Sequence, residues 1–292
     1  MSSGTSMRMQ VYYHALFGGL GGLAGWALVG SVATQTWGVW VAALFVGSGL
    51  GLALGALVAA ADGAMVKRKL ARALRDGSLG GVAGLAAGAV GMVLAQAAFF
   101  ALEGGWQGRT LSWMLLGGLI GAGDLLVHRR PVRAGYAAVG GLVGGLMGGL
   151  GYEGLTWLLL AQSGAAQVWL GGMGLVLVGA CIGALIPWAR QVFALGELRV
   201  VRGEQQGLVR EVSDTASIGC YDGNDLYLPD SGVAWRHAVV RRSEDGFLLE
   251  VLAGIDGVAR VGERILGPGE EQPLRSGDRI VIGGAELEFV GK

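Results

Sequence analysis

Asp62 and Asp124 stand 62 residues apart, each at the end of a long apolar run, and Glu153 lies within another. An acid at membrane depth either marks an ion pathway or is neutralised by a partner. Basic residues follow both aspartates, Lys67-Arg68-Lys69 after Asp62 and Arg129-Arg130 after Asp124, so pairing at the interface competes with a transport role. Glu153, beside Tyr152, either reaches the outer interface or serves as a coupling-ion site. Gln96 is placed for an interhelical hydrogen bond. The histidines His14, His128 and His237 and the cysteines Cys181 and Cys220 show no metal-ligand spacing. His14 reads as an interfacial residue and His128 as part of a basic loop. No Ser-His-Asp or Cys-His set has a supporting context, and no GxxxxGK(S/T) phosphate loop occurs. The expectation is a non-enzyme with no metal and no cofactor.

The elements that must position these groups follow from composition. Of 292 residues, 52% are hydrophobic and 15% charged, against about a quarter charged in soluble domains. Mean hydropathy is +0.53. The neutral total hides two regions: residues 1–195 carry a net charge of +6 and residues 196–292 one of −6. Two isolated cysteines make no disulfide framework and fit a reducing compartment. Six apolar runs, at about 12–33, 38–61, 79–101, 111–127, 135–160 and 167–189, each approach the ~20 residues that cross a bilayer as a helix. They show no strand-like alternation. Tyr12-Tyr13 read as interfacial anchors. Lys67, Arg68, Lys69, Arg72 and Arg75 fall between the second and third runs, and Arg129, Arg130 and Arg133 between the fourth and fifth. The positive-inside rule then puts the N-terminus, the basic loops and the tail in the cytoplasm. Anionic lipid headgroups are natural neighbours of such loops.

Regular spacing suggests three copies of a helical hairpin. The doublets Gly18-Gly19, Gly80-Gly81 and Gly140-Gly141 recur at 62 and 60 residues. The acid pattern of Asp62 and Asp124 breaks in the third copy, with Ile182 near the corresponding place. Residues 1–195 hold 41 glycines, many in stripes of every fourth residue such as Gly47, Gly51 and Gly55. Small faces let helices approach closely in lipid. A glycine-lined permeation path is the rival reading, although these stripes lack a polar lining.

The C-terminal third carries a different signature. Gly219, Asn224-Asp225-Leu226-Tyr227-Leu228 and His237-Ala238 are followed by Leu274, Gly277-Asp278-Arg279-Ile280, Ile282-Gly283 and Leu287-Glu288-Phe289. Residues 196–292 resemble the forkhead-associated (FHA) family, an all-β sandwich that binds phosphothreonine peptides. The resemblance implies a structural Gly219 and a His237 that orients the binding loop. Three family positions are altered. Cys220 replaces the phosphate-contacting arginine, Ala234 a phosphate-binding serine, and Asp256-Gly257 the Asn-Gly that holds the peptide backbone. A phosphate needs fixed, multidentate donors, which cysteine and alanine do not supply. Asn224, Arg236, Arg241 and Arg242 lie near the matching loops, with Arg236 the candidate phosphate contact.

The sequence thus reads as an N-terminal tail (1–11), a glycine-rich membrane bundle of six helices (12–189), a linker (190–195) and an FHA-like sandwich (196–292). With so short a linker, the acidic sandwich is expected close beneath the basic loops. The expected protein is integral to a bacterial plasma membrane. It recruits a cytoplasmic protein partner, phosphorylated on threonine or bound without phosphate, and no nucleic acid. The alternative is a small transporter or channel with a regulatory tail.

Overall fold

The structure, a computed structural model, describes residues 7–32, 36–61, 63–64, 70–103, 105–159, 165–244, 246–255 and 257–291. Asp62, Lys67, Arg68, Lys69 and Asp256 fall outside the described residues. The chain divides into two compact units, one built from residues 10–190 and the other from residues 191–291.

The first unit is helical: α1 (Met7–Gly30), α2 (Val39–Ala61), α3 (Leu70–Ala101), α4 (Trp106–Ala122), a short α5 (Asp124–His128), α6 (Pro131–Leu159) and α7 (Ala165–Phe193). Among the described residues, five segments are long and apolar enough to cross a membrane: Val39–Ala61, Leu70–Ala101, Trp106–His128, Pro131–Leu158 and Trp169–Phe193. The polar Gln10 and His14 and six glycines dilute the apolar character of α1. Helix α3 starts well before its apolar run because Arg72 and Asp76 bridge one turn apart at 2.8 Å. Between α5 and α6, Arg129 turns the chain with φ 56° and Pro131 opens the next helix. Helix α7 runs on to Phe193, so only Ala194-Leu195 separate it from the first strand, shorter than a linker over 190–195.

Glycine decides which helices touch. A Cβ on Gly55 would overlap the Gly80 carbonyl oxygen, one on Gly117 that of Gly141, and one on Gly179 that of Gly18. Gly55, Gly117 and Gly179 are 62 residues apart, so the same backbone contact occurs three times. The tight seams are therefore α2 on α3, α4 on α6 and α7 on α1. Each joins the end of one hairpin to the start of the next, and the last closes the bundle on itself. Side chains at matching positions fill the centre: Leu54, Leu116 and Val178, then Val58, Ile120 and Ile182, all buried in one cluster. The position after these in the third copy, the counterpart of Asp62 and Asp124, is Ile186 rather than Ile182.

The second unit is a sandwich of two sheets built from β1 (Gly196–Arg202), β2 (Val209–Val212), β3 (Thr215–Gly219), β4 (Leu226–Tyr227), β5 (Ala238–Ser243), β6 (Gly246–Val251), β7 (Ala259–Val261), β8 (Arg264–Leu266), β9 (Glu271–Leu274), β10 (Arg279–Ile282) and β11 (Ala285–Gly291). One sheet has the order β2-β1-β11-β10-β7-β8 and the other β4-β3-β5-β6-β9. Alternation supplies the core, with Leu198, Ile218, Val240, Leu249, Ile280, Leu287 and Phe289 buried between the sheets. The short parallel pair β3–β4, in register Ile218↔Leu226, brings the loop 220–225 to one end of the sandwich.

Candidate functional site

The helical unit brings its acids onto basic partners. Asp124 Oδ1 lies 3.0 Å from His128 Nδ1 and 3.4 Å from Arg190 Nη1, and Oδ2 lies 3.2 Å from Arg133 Nε. Arg190 reaches back from α7, a partner 66 residues away that local charge order does not reveal. A cavity of about 40 Å³ bordered by His14, Asp124, His128 and Arg190 has room for little more than a water molecule. His14 is 2% exposed, with Nδ1 2.8 Å from the Gln10 carbonyl oxygen, so it is packed inside the helical unit. Glu153 accepts two bonds from Arg109, at 2.6 Å from Nε and 2.7 Å from Nη2. This fork neutralises Arg109. Gln96 makes no hydrogen bond among the described residues, contrary to the interhelical bond expected of it.

In the sandwich, the motif residues between Gly219 and Ala238 converge on the loops at one end. Gly219 ends β3 where a Cβ would crowd the Trp235 carbonyl at 2.5 Å and the Asn224 amide at 2.7 Å. The backbone N–H groups of Cys220 and Tyr221 donate to the carbonyls of Ala234 and Trp235 at 3.0 and 3.1 Å. Asn224, 1% exposed, donates its amide to the Trp235 carbonyl at 2.8 Å. Asp225 accepts from the Ser217 backbone N–H and hydroxyl at 2.9 and 2.8 Å. Loop 220–225 is thus sewn to the segment before β5.

His237 is the second fastening. It is wholly buried; Nδ1 accepts from the Ala234 N–H at 3.1 Å, and Nε2 lies 3.2 Å from the Val258 carbonyl. One neutral tautomer, protonated on Nε2, satisfies both. A Cβ on Gly257 would stand 2.6 Å from the ring, so glycine there admits the imidazole. Burial pushes the His237 pKa below the usual histidine value, with the Val258 bond opposing. The unfolded chain therefore takes up the proton more readily than the folded one. Stability contributed by the neutral ring is present above about pH 6.5 and falls away as pH drops below it. Once the intrinsic exchange rate at each pH is divided out, amide exchange in the loops 220–225 and 228–237 should accelerate between pH 7 and 5.5 in the wild type and much less in His237→Gln. Equal acceleration in both would remove His237 as the cause.

With the geometry in place, the family comparison is decisive. The family description "FHA domain" matches residues 216–283. This chain carries an FHA domain. Similar solved structures include the FHA domain in a structural and functional analysis of phosphothreonine-dependent FHA domain interactions, at 26% identity over 33% of this chain and 96% of that one, TM-score 0.29. The FhaA FHA domain complexed with the intracellular domain of Rv3910 is 24% identical over 32% of this chain and 98% of that one, TM-score 0.28. The FHA domain of an Arabidopsis thaliana hypothetical protein is 20% identical over 35% and 88%, TM-score 0.31. No curated protein matches the chain. FHA domains are phosphothreonine-dependent protein-interaction modules and not catalytic ones.

Around this FHA domain's loops the cationic candidates differ. Arg236 is exposed beside Trp235. Arg241, on β5, is held by Glu271 at 2.5 Å and Glu250 at 3.4 Å. Arg242 is exposed on the same strand, and its N–H donates to the Asp214 carbonyl at 2.7 Å. Cys220 and Ala234 are partly exposed at the loop surface. Trp235, 64% exposed, stacks on Tyr221 with ring centres 4.5 Å apart and planes 17° from parallel. Sequence motifs do not point to this pair, since neither residue is part of the family pattern.

Proposed function

We propose that this protein is a membrane-anchored interaction protein. The helical unit holds an FHA domain at the cytoplasmic face of a bacterial plasma membrane, and the domain captures a protein partner in signalling or assembly. The observation that carries this reading is the FHA match over residues 216–283 in the same chain as five segments able to span a membrane. The basic residues of the helical unit support the cytoplasmic orientation. Threonine phosphate on the partner is the ligand the family suggests, and of the two exposed candidates, Arg236 and Arg242, Arg236 in the loop before β5 is the one assigned to meet it. Its neighbours donate little: Cys220 and Ala234 lack the side-chain donors, and the Cys220 and Tyr221 N–H groups already have internal acceptors.

The test is a titration of the full chain, in lipid nanodiscs, with matched peptide libraries bearing threonine or phosphothreonine. Preference for the phosphorylated set, lost in Arg236→Ala by tenfold or more, is the result expected of phosphate recognition. Equal binding of both sets identifies a phosphate-independent docking module. Absence of any binding overturns peptide capture at these loops.

A further inference from the structure

Between α3, α4 and α6, at the end of the helical unit that carries the Arg109–Glu153 pair, lies a cavity of about 250 Å³. Its walls include Met92, Gln96 and Phe99 from α3, Arg109 and Trp113 from α4, and Tyr152 from α6. All six belong to segments able to cross a membrane. Gln96 is the anomaly. Its side-chain amide is half-buried in a membrane segment and, among the described residues, has no hydrogen-bond partner. Hydrocarbon offers an amide nothing, so a polar group left there without a partner is costly. A neighbouring helix could have met it, as α3 does for Ser112, whose hydroxyl reaches the Ala95 carbonyl at 3.4 Å besides the Gly108 carbonyl of its own helix at 2.7 Å. Gln96 instead borders open space.

The surroundings define what fits that space. Arg109 is charge-neutralised by two bonds from its guanidinium to Glu153, so the site has no charge to match. Phe99, Trp113 and Tyr152 give it flat aromatic walls, and the Trp113 and Tyr152 rings meet at 5.9 Å and 45°. At about 250 Å³ it is below the 300–1,000 Å³ typical of pockets for drug-sized ligands, which suits a single ring with its substituents. We infer that this cavity binds a neutral, membrane-soluble compound with a planar ring and carbonyl oxygens, of the quinone class, whose oxygen accepts a hydrogen bond from Gln96. Only binding is assigned; no electron transfer is involved. The site lies in the helical unit and stands independently of peptide capture by the FHA domain.

The full chain in nanodiscs should bind decylbenzoquinone saturably, read as a concentration-dependent rise in melting temperature and as quenching of tryptophan fluorescence that Trp113→Phe diminishes. Gln96→Leu should weaken binding at least tenfold. The same variant without the quinone should melt at or above the wild-type temperature, because it removes an unsatisfied amide. A lowered melting temperature in the empty variant would mean that the amide makes an internal bond, and the assignment would fall. It would fall equally if Gln96→Leu bound the quinone as well as the wild type. Retention of phospholipid alone at the site, with no quinone saturation, likewise overturns it.

Discussion

Gly51→Leu is expected to leave little folded protein in the membrane. A Cβ at Gly51 would overlap the Gly84 carbonyl oxygen, and the carbon beneath it is backbone, which cannot rotate away as a side chain can. The leucine must therefore push α2 off α3 along the whole seam that also holds Gly47 against Gly88 and Gly55 against Gly80. Overpacking a water-soluble core typically costs about 1–3 kcal/mol where side chains can yield. Here they cannot, and in lipid close contact itself supplies the attraction between helices. The effect should exceed that range. Across that seam Gly84 meets the Gly51 carbonyl in turn, and Gly22 and Gly145 take the place of Gly84 in the other two seams, against the carbonyls of Leu175 and Trp113; leucine at Gly84, Gly22 or Gly145 should behave alike. Gly38, Gly135 and Gly154 serve as controls, since a Cβ there meets nothing within 4 Å. Folded yield after detergent extraction, followed by resistance to a protease, separates the two groups. Tolerance of leucine at Gly51 equal to that at Gly135 would refute close packing as the purpose of the stripes.

That seam shows what the order of residues reveals and what it conceals. Period and doublets are local facts, so the threefold repeat and the stripes could be read directly. Which helix each stripe faces is not local. Hairpins suggest α1 against α2, whereas the overlapping carbonyls put the closest contacts between hairpins and bring α7 back to α1. The acids follow the same rule. Arg133 lies nine residues beyond Asp124 and was within sight of it, but Arg190 lies 66 residues away and becomes a neighbour only after the bundle closes. In the FHA domain the motif residues were legible because backbone geometry fixes them. Gly219 admits two neighbouring groups and His237 joins two loops. The Tyr221–Trp235 stack was not, because an exposed aromatic pair leaves no periodic trace.

Asp124→Ala is expected to destabilise the helical unit by about 3–5 kcal/mol, the cost of removing one partner from a buried ion pair. Its carboxylate is 13% exposed and the Arg190 side chain 5% exposed, so solvent screens the pair only weakly. Without Asp124, Arg133 and Arg190 confront each other and His128 with no carboxylate between them. Asp124→Asn keeps the shape and some hydrogen bonding but not the charge, and it should lose less. A structural role predicts coupling: Asp124→Leu combined with Arg190→Met should cost less than the sum of the single variants, because each single change strands the other's charge. Unfolding of the purified protein in mixed micelles by a graded denaturing detergent measures all five variants. A transport role predicts the opposite pattern, with stability nearly unchanged and flux into liposomes abolished. The fold favours the first outcome. Leu54, Leu116 and Val178 and then Val58, Ile120 and Ile182 occupy the bundle centre immediately before Asp124, and ion flow past them would require the three seams to part.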